Sequence, residues 1–210
     1  MPGPITEPEN CGNVIGEVDP SLCKPKVRAA QVQRVFATLL DGNENFGPYN
    51  ADPDTVGVVN NPAAWSARMD QTGTATGAII TLHCIGEKPL PEDEEQELPL
   101  GQTRVLDRSH TLNFTVLETS DKINMLMRQW AAFGATVGIW YETSQPTLLG
   151  SGTAVHIPIQ ASIKPGQVIP RERSGAHVWE VTATWKDMKP EDMIDSPVPA
   201  TPEPGAGSGS

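Results

Sequence analysis

Between His110 and Ser144 the spacing of apolar side chains changes period twice, and this change limits the fold more than any other feature. Leu112, Phe114 and Val116 alternate with Thr111, Asn113 and Thr115, the two-residue period of a strand with one buried face. Ile123, Leu126, Met127, Trp130 and Gly134 then fall at i, i+3, i+4, i+7 and i+11, a helical stripe wide enough to pack on a sheet. Ser120 offers a side-chain oxygen to cap that helix and Asp121 a negative charge in its first turn, while Gly134 ends it. In "TVGIWYE" the alternation returns, with Val137, Ile139 and Tyr141 facing one way and Trp140 the other. One helix, expected at about residues 121–133, therefore sits between two strands.

The remaining periodic segments are strands. "AVHIPIQASIK" puts Val155, Ile157, Ile159, Ala161 and Ile163 on one face, and "HVWEVTATWKDM" does the same with Trp179, Val181, Ala183 and Trp185. Ala78 to Ile85 reads as a further strand with Ile80, Leu82 and Cys84 on one face. "KVRAAQVQRVFATLLDG" fits either period; its β-branched residues and closing Asp41-Gly42 favour a strand. The 20 prolines and 19 glycines break the chain at intervals too short for long helices. Five to seven strands with one helix predict a mainly β fold: a β-sandwich or barrel of antiparallel strands with one amphipathic helix packed across it. A parallel α/β fold is excluded, because one helix cannot supply the crossovers that parallel strands need.

Residues 1–25 carry five prolines and little periodicity, so they read as an extended N-terminal arm. A single domain is expected over residues 26–190, followed by a flexible tail over 191–210. Residues 43–61 have loop composition, and a second loop is expected at 87–101. There Glu92, Asp93, Glu94, Glu95 and Glu97 lie between prolines, too much like charge to fold on itself.

A net charge of −11 argues against binding nucleic acid through its phosphates, which needs a basic face. No apolar run has the roughly 20 residues that span a bilayer, so no membrane partner is expected. Cys11, Cys23 and Cys84 are odd in number and without a CxxC pair, and read as free thiols rather than zinc ligands. GxSxG, HExxH, Walker and GxGxxG motifs are absent. "LLGSGTAV" lies between two strand patterns and reads as a hairpin connection rather than a phosphate cradle. His83, His110, His156 and His177 sit in or beside strands, where alternation makes most of them outward polar residues. No catalytic, metal-binding or cofactor-binding residue is expected, and the chain does not read as an enzyme.

Subunit contacts are the more productive search. Trp140 shares its strand face with Gly138 and Glu142 rather than with apolar residues, so it is the first candidate for a contact between chains. Trp65 is a second, because tryptophan is enriched where chains bury large areas. Pro158 cannot donate to a ladder and places its strand at an edge or bulge. Arg171 and Arg173 in "PRERSG" look like a hairpin tip able to meet an acidic patch on a neighbour.

At "LNFTVLETSDKINMLMRQWA" followed by "VGIWYE", the order of strand, capped helix and strand resembles the tail tube and related virion structural proteins of tailed bacteriophages. The resemblance extends from about Trp65 to Asp187. It implies a subunit made in the host cytoplasm and located in the virion, with itself and other virion proteins as partners. Copies would form rings, hexameric in the resembled group, that stack as a tail tube or line the DNA passage. A neck, connector or capsid decoration protein is the alternative within that class. A carbohydrate- or ligand-binding β-sandwich, with Trp65 and Trp140 as stacking platforms, is the alternative outside it.

Overall fold

A computed structural model describes residues 31–69, 77–98, 102–117, 120–144, 146–169 and 178–198. The elements run β1 (Val32–Thr38), α1 (Pro62–Met69), β2 (Ile79–Glu87), β3 (Glu92–Leu98), β4 (Gln102–Val116), α2 (Asp121–Phe133), β5 (Ala135–Thr143), β6 (Thr147–Leu149), β7 (Ile159–Val168), β8 (Val178–Lys186) and β9 (Met193–Asp195). The ambiguous segment near residue 32 is a strand. Ser120 caps α2, and the helix occupies the expected residues.

All pairings between strands are antiparallel, in the order β1-β2-β4-β8-β7-β5. β1 also pairs with β5, Phe36 opposite Trp140 and Ala37 opposite Ile139. That last ladder closes six strands into a barrel. β3 extends from β4, β6 pairs with β5 and β9 with β6. The fold is thus mainly β, a six-stranded antiparallel barrel with three further strands and two helices among the described residues. A closed barrel stands where a sandwich was the other expectation. The second helix, α1, comes from the short segment around Trp65; Pro62 fits its first turn and Asn61 Oδ1 accepts from the Ala64 N–H at 3.0 Å.

Two cores result. Inward side chains of every barrel strand, among them Val35, Leu82, Leu112, Phe114, Ile139, Ile163 and Val181, pack together and are joined by Ile123, Met127 and Trp130 of α2. The helix crosses one mouth of the barrel, and the Trp179 indole donates to Asn124 Oδ1 on it at 2.8 Å. The second core lies outside the barrel wall. Phe36 and Trp140 on the outer faces of β1 and β5 are covered by Phe46, Val59, Trp65, Leu148, Val155, Ile194 and Val198.

That outer core revises several expectations. Pro158 does not mark an edge. It precedes β7, which runs between β5 and β8, and it packs so closely on Gly138 that a Cβ there would meet it at 2.9 Å. The alternation read from Val155 therefore breaks at Pro158, and Val155 joins the outer core. Glycine-rich 150–154 does not form a hairpin, since β6 pairs with β5 and β9 and not with β7. Order also continues past residue 190, because β9 and the buried Val198 lie in the segment expected to be flexible. Residues 1–25 and 199–210 lie outside the described residues.

Met127 is fully buried in the mouth of the barrel and Met125, two residues away, is 60% exposed. Both sites tolerate alanine in a helix, so the difference isolates packing. Met127→Ala is expected to lose about 2–5 kcal/mol in urea unfolding, and Met125→Ala to change stability by less than about 0.5 kcal/mol. Equal losses at the two positions would contradict the placement of α2.

Candidate interaction site

The acidic segment is not a loop. After Glu87 the ladder between β2 and β4 is interrupted by Lys88–Pro91, whose two prolines cannot donate. It resumes with Glu92 opposite Ser109 and continues to Leu98 opposite Gln102. β2 and β3 together thus run beside one long strand, and the β3–β4 ribbon continues beyond the barrel. Like charge did not prevent pairing because the acids meet a mixed strand. Asp93 lies opposite Arg108, with the Arg108 Nε 2.8 Å from Asp93 Oδ1. Glu94 is paired with Lys186 of β8. Hydrogen bonding to the Lys186 ammonium holds the Glu94 carboxyl below its usual range, and the same bond raises Lys186. The pair therefore survives mild acidification and is lost as pH falls through the lowered Glu94 value. Glu92, Asp93, Glu94 and Glu95 are exposed; Glu97 belongs to the same strand.

Beside this ribbon, at the mouth opposite α2, lies a buried polar group. His110 is 2% exposed, in line with Leu112 and Phe114 on the inner face, so it is not an outward histidine. Its Nε2 is 3.0 Å from the Asp187 carbonyl oxygen, its ring stacks on Trp185 and its Nδ1 is 3.2 Å from Glu191 Oε1. Lys88 Nζ approaches the same oxygen at 3.0 Å. Burial, with Glu191 close by, pushes the Tyr141 phenol upward. These contacts join the segment after β8 to the barrel. With its ring held by Asp187, Glu191 and Trp185, the surroundings of His110 fit a structural role. Among the described residues no group of three or more His, Cys, Asp or Glu side chains could hold a metal ion.

Trp140 and Trp65, expected at a subunit contact, are both 0% exposed. Trp140 donates to the Val155 carbonyl at 2.8 Å and Trp65 to that of Val59 at 2.6 Å. The two rings meet edge to face at 5.3 Å, with Phe46 stacked on Trp65 at 4.5 Å. Both indoles are fully used inside the chain and present no surface to a neighbour. Glu142 was the misleading signal: its position beside Trp140 suggested a wet face, yet it is 2% exposed and forms a two-pronged ion pair with Arg34, its cross-strand partner. Pro158 is likewise buried. Arg171 and Arg173 lie outside the described residues, as do Cys11, Cys23 and His177.

Among the described residues, the surfaces open to contact include the free edge of β3 and the outer side of α2, and the three-residue β9 likewise has a ladder partner, β6, on one side only. In the sequence the outer stripe of α2 is marked only by Met125 among polar and small residues, a weaker signal than the buried stripe of Ile123, Met127 and Trp130. A shallow hollow of about 650 Å³ over β2, β4 and β8 is lined by Glu87, Asn113, Thr115, Glu180 and Thr182. Comparison with protein-family models, with curated proteins and with solved structures finds no match.

Glu142→Leu removes the two-pronged carboxylate from the half-buried Arg34 cation and is expected to cost about 2–3 kcal/mol in urea unfolding. Adding Arg34→Met should recover most of that loss; a double variant as unstable as the sum of both singles would show that the pair is not coupled. Burial also pushes the Cys84 thiol up to about 12. At pH 8 a maleimide should leave Cys84 unlabelled in the native chain and label it in urea, as located by peptide mass spectrometry. Rapid native labelling at Cys84 would contradict its burial.

Proposed function

We propose that this chain is a structural subunit of a bacteriophage virion that self-assembles into rings, which stack as a tail tube or line the DNA passage. The observation that carries the reading is the open edge of β3. Each of the six barrel strands has ladder partners on both sides, whereas β3 pairs only with β4 among the described residues. An unpaired edge is a ready site for strand addition. Its acids oppose pairing with a second β3, because like charges would lie opposite each other. A contact through this edge must therefore join two different surfaces of two copies, and a repeated contact of that type closes into a ring or continues as a filament.

Three further points support the reading. The sequence around α2 resembles tail tube proteins. The barrel interior is filled with side chains, which leaves the outer surface as the place where partners act. The acidity of the chain suits a wall past which DNA slides without adhering. On this reading Arg171 and Arg173 of "PRERSG" meet the β3 acids of a neighbour. The same chemistry would serve a neck, connector or decoration protein. The carbohydrate-binding alternative loses its support, since its two proposed platforms, Trp65 and Trp140, are buried.

Mass photometry and negative-stain microscopy of the purified chain over a concentration series test the proposal. Rings or tubes are expected, with a single ring favouring a neck and a stack favouring a tube. Glu92→Lys with Glu95→Lys should weaken assembly about tenfold or more without lowering the melting temperature. A chain that stays monomeric at every concentration and salt would overturn the reading.

A further inference from the structure

α2 presents two stripes on opposite sides. Ile123, Met127 and Trp130 are buried in the barrel mouth. Directly opposite, Asp121, Met125, Arg128 and Ala132 fall at i, i+4, i+7 and i+11, and all four are exposed. Met125 is 60% and the adjoining Phe133 88% exposed, far more than apolar side chains of a folded chain usually show in a cluster. Leu39, at the same mouth, is also exposed. A groove of about 420 Å³, lined by Leu39, Ile80, Leu126 and Met125, adjoins the stripe.

The charges on this stripe indicate what covers it. Asp121 and Arg128 have no ion-pair partner among the described residues. Seven residues separate them, about 10 Å along the helix axis, too far for contact with each other. An acid at one end of the stripe and a base at the other, with Met125 between, is self-complementary when a second helix is turned end for end. In that antiparallel arrangement each Asp121 faces the Arg128 of the other copy, and the two Met125 side chains meet near the axis. The opposite mouth does not offer the same match, since its Lys88–Glu191 and Arg108–Asp93 charges are already paired within the chain.

We propose that the outer stripe of α2 is a two-fold contact with α2 of a second copy of this chain, sealed by two reciprocal Asp121–Arg128 ion pairs around Met125. The contact is independent of the ring reading, because it uses α2 and joins identical surfaces, whereas ring closure uses β3 and joins different ones. Where both operate, two rings meet face to face. A contact of one helix per copy is small, so its affinity is weak, roughly micromolar or weaker.

Sedimentation velocity of the full chain, from low to high micromolar concentration, tests it, with thermal melts to confirm that each variant folds. Asp121→Arg and Arg128→Asp each place like charges across the axis and should each weaken pairing about tenfold or more. An equimolar mixture of the two variants restores both attractive pairs and should associate as the wild type does. Met125→Glu, which leaves the helix ends untouched, should also abolish pairing. A wild type that never pairs, single variants that pair like the wild type, or a mixture no tighter than its components would each overturn the proposal. Rings indifferent to these changes would leave the ring reading standing and remove the α2 contact; α2-dependent pairs without larger assemblies would do the opposite.

Discussion

The ladder between β1 and β5 is the constraint on which the rest of the structure depends. Without it the strands would form an open sheet with β1 and β5 as raw edges, each offering unpaired backbone. With it, residues 35–38 of β1 pair on both sides, with β2 and with β5. This ladder joins residues more than a hundred positions apart, Arg34 opposite Glu142 among them. Closure over such a separation is entropically costly and must be offset by burial on both faces of the paired strands. The outer core answers that need. Phe36 and Trp140 face outward from the barrel and are covered by α1, the loop of residues 43–61 and the segments around β6 and β9.

How much could be read in the chain follows from this arrangement. α2 was legible because its signals are local: a capping serine, an acid in the first turn, a stripe of one period and a terminal glycine. The inner faces of β4, β5, β7 and β8 were legible for the same reason. The outer face of β5 was not. Trp140 and Glu142 have the appearance of a solvated face in one dimension, and only Arg34, far away in sequence, turns Glu142 into a buried partner. His110 was misread because a histidine on an inner face is tolerated only when a distant carbonyl and carboxylate reach it, here from Asp187 and Glu191. The acid run was read as a loop from its charge, while its pairing depends on Arg108 and Lys186 on other strands. In each case the decisive atom lies outside any window in which periodicity can be counted.

Barrel closure also determines where function can reside. Among the described residues it pairs six strands on both sides and packs their inward side chains together. Two open surfaces lie at its periphery, an acid-guarded strand on one side and an apolar helix face across one mouth. The first favours unlike surfaces and the second favours like surfaces, and the two together would give a subunit distinct routes to its neighbours.

Amide hydrogen exchange along β1 tests closure most directly. The amides of Val35, Phe36, Ala37 and Thr38 should exchange only through global unfolding, as slowly as the most protected amides of β4 and β8. Exchange of β1 amides at the rate of a frayed edge, well ahead of β4 and β8, would contradict a closed barrel.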